Sequence, residues 1–356
     1  MNEAGNRVTI PLEEFQRGGR LCLQVGEDFL EETLVIDIPC LRLSGEIWNY
    51  SADPNGVFES QYGTKLRMMR NDLPAIMISE NNVLGGNVVE HIGIRGNIAG
   101  MDTRTMFHYE SPKESSGLYF GSQRVDQAEF QKISFGGLAC GICAAENSEI
   151  DACTFEKLNM DGCCIGVYFS PRASYYTTFR NCIMSDTPSY GFLLNGEGKK
   201  IHHADLDGIY FVRNGGVFSE HCRYPKAAVC IYQASGCSVR NCVFDFPGTY
   251  WHYEDDAKEN EERRVYKSAV PALWVEGNRN LVQGNRFSHS SSDTIVIHGD
   301  DNIIMNNVID SNVVLCGKRN VLSGNVFTTE EARIVLAEGA EDTRLIGVEK
   351  ERIQKI

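Results

Sequence analysis

Carboxylates that recur at similar places in successive repeats are the residues of this chain best suited to chemistry. Glycosidic-bond chemistry needs two of them on opposite sides of the scissile bond. One is protonated to assist the leaving group, and the other activates or supplies a nucleophile. The pairs that qualify are Asp207 with Glu220, Asp205 with Glu220, and Asp151 with Asp161, with Glu156 close by in the chain. Each could instead be an ordinary corner or surface acid. In the leading pair Glu220 is the acid/base and Asp207 the nucleophile or transition-state stabiliser. Aromatic side chains suited to stacking on sugar C–H faces are Tyr168, Tyr232 and Trp274, with Tyr250 and Trp251 in a long polar insertion. Arg213, His221 and Glu276 are candidate polar contacts to hydroxyl groups.

The elements that must position these residues are repeats. The phrase "NLVQGNRF" (280–287) returns as "NIIMNNVI" (302–309) and "NVLSGNVF" (320–327), and earlier as "SVRNCVF" (238–244) and "TTFRNCI" (177–183). Aligned on the Asn, these give a column of Asn181, Asn241, Asn285, Asn307 and Asn325; Asp207, Cys153 and Ile133 extend it upstream. Between them lie short alternating phrases: "GVYFS" (166–170), "GFLLN" (191–195), "GVFSE" (216–220), "AVCIY" (228–232), "ALWVE" (272–276) and "TIVIH" (294–298). Their second and fourth residues are mostly apolar, so one face of each strand is buried. The outward third positions then include Tyr168 and Trp274. The fifth include Ser170, Asn195, Glu220, Tyr232, Glu276 and His298.

Many short strands in units of about 20 residues, without helices between them, predict an all-β solenoid, a right-handed parallel β-helix. The stacked Asn amides then satisfy turn backbone at a coil corner. The reading is one domain over 1–356. Residues 1–80 form an N-terminal cap and the first coils, and 245–268 form an inserted loop. Short helices are expected near "PLEEF" and within 255–266.

Composition narrows the function further. A net charge of −14, with basic residues dispersed among acids, argues against nucleic acid as a partner. No apolar run is long enough for a membrane helix, and the first residues lack a secretory signal pattern. Thirteen scattered cysteines suit buried free thiols in a reducing cytoplasm better than a disulfide framework. Cys140 and Cys143 form a C-x-x-C with no second pair at zinc-site spacing, so no metal or other cofactor is expected.

Several phrases carry a resemblance. "VEHIGIRG" followed by a loop and "SGLYFGS", then "ISFGGLACGICAAENSEIDACTFEK", and the series "ALWVEGNRNLVQGNRF" and "TIVIHGDDNIIMNNVI", are similar in order and phrasing to the inulin fructotransferase and difructose-dianhydride hydrolase family. The similarity runs from about residue 85 to 345 within the pectate-lyase-like β-helix superfamily. The uronate-cleaving signatures of that superfamily are missing here. The resemblance implies a homotrimer with active sites between subunits, and an Asp/Glu pair. In collinear alignment that pair's slots fall on Cys153 and near Ser170. Two coils later Asp207 and Glu220 stand in the corresponding places. The expected function is cleavage or rearrangement of glycosidic bonds in a small oligosaccharide, fructan-derived by resemblance. A lyase or epimerase on uronates, or a non-catalytic glycan-binding solenoid, is the alternative.

Overall fold

The computed structural model describes residues 18–46, 63–79, 82–96, 115–121, 123–144, 146–201, 203–218, 222–252 and 264–356. Nearly every strand pairs in parallel with the strand one coil further on, as the repeat demands. A twelve-stranded sheet runs from Leu34–Ile36 to Ile353–Lys355 and forms the broad face of the solenoid. Two further ladders close each coil. A middle ladder passes through Thr154–Glu156, Thr177–Arg180, Ala204–Asp207, Ser238–Arg240 and Leu281–Gln283. A groove ladder passes through Asn159–Asp161, Ile183–Ser185, Tyr210–Val212, Val243–Asp245 and Arg286–Ser288.

Alternation explains the core. In Leu273–Glu276 the burial runs in, out, in, out, and Leu273 and Val275 are fully enclosed. Equivalent side chains stack along the axis because coils repeat at about 4.8 Å. Phe130, Phe155 and Phe179 stack with centroids 4.9 and 4.4 Å apart. Phe211, Phe244 and Phe287 do the same at 5.0 and 4.5 Å. All thirteen cysteines are free thiols, and nine are buried. Cys182 and Cys242 occupy small corner sites of the core, and burial pushes both thiols up to about 12, which keeps them uncharged.

The Asn phrases resolve into three columns. Asn285, Asn307 and Asn325 form one ladder, in which the Oδ1 atoms take the backbone N–H of Cys242, Asn285 and Asn307, each one coil earlier, at 2.9 Å. Asn280, Asn302 and Asn320 form a second with the same geometry. Asn181 and Asn241 belong to neither. With Gly208, Gly284, Asn306 and Gly324 they hold a left-handed corner, with φ between 54 and 67°. Gly and Asn alternate there because they tolerate that conformation best. The expected column was therefore one residue out of register in the earlier coils. Cys242 takes the place opposite Asn285, and Cys153 lies in line with Asn280. Asp207 leaves the column as well: it faces outward opposite Arg180 and Arg240.

Replacing Asn307 by Leu strands the Asn285 N–H and the Val282 carbonyl that it now serves. Each buried group left unpaired costs about 1–3 kcal/mol, so the urea midpoint should fall clearly below that of wild type. An unchanged midpoint would show that the ladder contributes no stability.

Two expected elements differ. The described part of "GVFSE", residues 216–218, is not a strand: Phe192–Asn195 pairs directly with Val229–Tyr232, and Val217 and Phe218 lie in the connection between them. The charged run is not helical where described, because Arg264–Lys267 is a strand paired antiparallel to Thr249–His252. Residues 253–263 and the "PLEEF" phrase lie outside the described residues.

Candidate functional site

The groove ladder ends in a corner that gathers acids. Met160 faces the core, so its neighbour Asp161 faces outward, and parallel register puts Ser185 one coil on, then Val212, Asp245 and Ser288. The next residue in each coil turns left-handed, and those positions hold Gly162, Asp186, Arg213, Phe246 and His289. Asp161 and Asp186 thus sit diagonally on adjacent coils, which are about 4.8 Å apart by strand spacing.

Their surroundings separate their roles. Asp186 is only 8% exposed and is gripped by Arg213, with Nε to Oδ1 at 2.6 Å and Nη2 to Oδ2 at 2.5 Å. This two-pronged pairing suits a charged carboxylate. Asp161 has no such grip. Burial, then the negative charge of Asp186, push its carboxyl up to about 7, against the weaker opposing pull of Ser185 and Arg213. A carboxyl pushed toward neutral pH beside an arginine-paired carboxylate is an arrangement that can support acid/base chemistry.

An insertion walls this corner. Thr249–His252 and Arg264–Lys267 form a hairpin, with Tyr250 opposite Tyr266 and Trp251 opposite Val265. Its base is tied to the segment after Arg213: the Gly248 N–H donates to the Asn214 carbonyl at 2.7 Å, and the Ser268 hydroxyl to that of Gly216 at 2.8 Å. Gly248 is left-handed at φ 74°, and a Cβ there would run into Ser268 and Ser291. The Arg213 guanidinium lies over the Trp251 ring, 4.5 Å from its centroid. Tyr250 is 5% exposed, and burial first, with the acids and Cys164 adding, raises its phenol. Asn214, fully buried, donates to the Met184 carbonyl at 2.9 Å and fixes where Arg213 starts.

The residues expected to act together fall into separate places. Asp161, Arg213, Tyr250 and Trp251 meet at the groove corner. Asp151 does not accompany Asp161: it lies in the five-stranded side sheet, bound to Arg124 at 2.8 Å. Asp205 and Asp207 project from the middle ladder. Asp205 accepts from the Ser238 hydroxyl at 2.5 Å, Asp207 accepts from the Asn241 amide at 2.8 Å, and both stand 3.9 Å from Arg240. Glu156 is held by Arg180 at 2.8 Å in the same outward column. Glu220 and His221 lie outside the described residues.

Tyr168, Tyr232, Trp274 and Glu276 do share the outer face of the broad sheet, in the register read from sequence. There the Tyr168 and Tyr224 hydroxyls are 2.9 Å apart, and Trp274 stacks on His298 at 4.5 Å. Asp186 was missed. A search for acids one coil apart would have found it, 25 residues after Asp161, at the head of the lengthened "SDTPSY" turn. Among the described residues no cluster of three or more His, Cys, Asp or Glu side chains could hold a metal ion.

Neither a sequence-family profile nor a curated protein sequence matches this chain. Solved structures do. DFA-IIIase from Arthrobacter chlorophenolicus A6, without its lid, superposes with a TM-score of 0.58 at 11% identity, over 95% of this chain and 87% of that one. The catalytic domain of an α-1,3-glucanase, solved with tetrasaccharides, gives 0.53 at 11% identity, over 94% of this chain and 63% of that one. The A-module of a mannuronan C-5 epimerase from Azotobacter vinelandii gives 0.50 at 9% identity, over 95% and 91%. At such identities the likeness concerns the fold alone, a right-handed parallel β-helix.

Proposed function

We propose that this chain is a carbohydrate-active enzyme that cleaves or rearranges glycosidic bonds of an oligosaccharide at the groove corner. The observation that carries the reading is Asp161, a half-buried carboxyl pushed up to about 7, one coil from an Asp186 that is paired to Arg213. Protonated Asp161 would donate to the leaving glycosidic oxygen. Asp186 would activate the attacking hydroxyl or water, or stabilise positive charge on the ring. Trp251, with Arg213 against it, would wall the sugar. The substrate class draws support from the solved structures of the same fold: DFA-IIIase with GF2 or DFA-III, and a glucanase with tetrasaccharides. A fructan-derived substrate is the finer form of this proposal, and a homotrimer belongs with it.

The test is incubation with neutral oligosaccharides, inulobiose and difructose dianhydrides among them, with products detected by mass. No product from any of them would overturn the reading. If Asp161 is the acid, kcat falls as pH rises through about 7, where its carboxyl ionises. A rate flat from pH 6 to 8 would contradict that role. Replacing Trp251 by Ala should raise KM by about tenfold, the effect of losing on the order of 1.5 kcal/mol of stacking.

A further inference from the structure

The groove corner does not end at the carboxylate pair. Further along the axis toward the C-terminus, the same two positions per coil carry Asp245 and Phe246, then Ser288 and His289. Asp245 is the organiser. Its Oδ1 accepts from the Ser288 hydroxyl at 2.9 Å and lies 2.8 Å from His289 Nδ1; its Oδ2 receives the Tyr210 hydroxyl at 3.4 Å. The His289 ring lies flat on Phe246, with centroids 4.0 Å apart and planes 3° from parallel. Nδ1 is thereby taken up by Asp245, which leaves Nε2 for another hydrogen-bond partner. The His289 side chain is 59% exposed, so that nitrogen is open to a ligand.

In the other direction the corner is bare. On the coil before Asp161 the two equivalent positions are Gly136 and Gly137, which offer no side chain. The coil adjoining the pair on that side is thus bare and the next one back carries Arg95, whereas on the C-terminal side polar groups continue from coil to coil. From Asp186 through Arg213 and Phe246 to His289 is three coil steps, about 14 Å at the usual strand spacing, more than one sugar ring can span. The acids along this path outnumber the bases, and Arg213 is committed to Asp186, so the path favours a neutral chain over a uronate.

We infer that His289, oriented by Asp245 and backed by Phe246, is the hydroxyl-binding residue of a distal subsite. The substrate is then a neutral oligosaccharide longer than a disaccharide, lying from the carboxylate pair toward the C-terminal coils. This rests on the proposed glycosidic activity for its catalytic readout, but not for its binding readout.

The experiment uses the full chain and graded fructo-oligosaccharides and α-1,3-gluco-oligosaccharides, from dimer to hexamer. His289→Ala should lower the ratio of kcat/KM for long over short substrate about tenfold, through KM, and His289→Gln, which keeps a hydrogen-bonding group, should restore most of it. In the Asp161→Asn protein, the histidine ring NMR signal that His289→Ala deletes should shift on titration with the longer chains and not with the dimer. An unchanged ratio in His289→Ala, or a signal that no sugar moves, overturns the subsite. A signal that shifts with long chains although wild type turns over none of them keeps the subsite and overturns the catalytic reading.

Discussion

Asp161→Asn should reduce turnover by about 10²–10⁴-fold, the range of a lost general acid, while making the protein more stable above neutral pH. Both effects come from one shifted proton. The folded carboxyl is raised from 3.8 to about 7. Below about pH 4 both folded and unfolded states hold the proton, and the group contributes no pH dependence. Between about 4 and 7 the unfolded carboxyl ionises while the folded one stays neutral, so stability falls as pH rises and levels off above about 7. The full span is on the order of 4 kcal/mol. Asparagine cannot ionise, so the variant should lack that slope and melt above wild type at pH 8. A variant that is inactive and equally unstable at pH 8 would assign the activity loss to something other than this proton.

Arg213→Met should be the most destabilising single change at the site. It leaves Asp186, 8% exposed, without its guanidinium and with Asp161 as a neighbour. Breaking a buried pair on one side costs about 3–5 kcal/mol. Stripped of its cation, Asp186 should hold a proton to higher pH, so the penalty should be small in acid and grow toward alkaline pH. The double variant Arg213→Met with Asp186→Asn removes the stranded charge and should recover most of the stability. It should not recover turnover, because both the ion pair and one acid are gone. Denaturant midpoints at pH 5 and pH 8 for the three proteins check this. A double variant no more stable than Arg213→Met at pH 8 would show that the loss is one of packing against Trp251 rather than of charge.

The sequence carried the fold because a β-helix writes its period openly. Strand phrases such as "ALWVE" and "TIVIH" keep their second and fourth residues apolar, and the structure sets Trp274 opposite Val296 and Glu276 opposite His298 in that register. The corners were harder to read. Asn serves two different needs here, stacking its amide in a buried ladder and tolerating a left-handed turn, and the two uses stand one residue apart. "RNCVF" and "QGNRF" therefore look alike while differing in register by one. That slip placed Asp207 in the wrong column. It also hid that Asp207 belongs to an outward charge ladder with Arg180 and Arg240.

The site was half legible. Asp161, Arg213, Tyr250 and Trp251 were each singled out, but for different reasons and never as one cluster. What joins them is the return of the chain: the hairpin begins 36 residues beyond Arg213 and comes back against its neighbours Asn214 and Gly216. No local pattern encodes such a return. Asp186 carried no aromatic or repeat signal of its own, and its importance comes from being one coil beyond Asp161.

The most direct test of the account compares product formation, followed by mass on the same oligosaccharide panel, for wild type, Asp161→Asn and Asp207→Asn. The groove corner predicts product from wild type and Asp207→Asn and essentially none from Asp161→Asn. Product from Asp161→Asn at the wild-type rate, with Asp207→Asn silent, would contradict it.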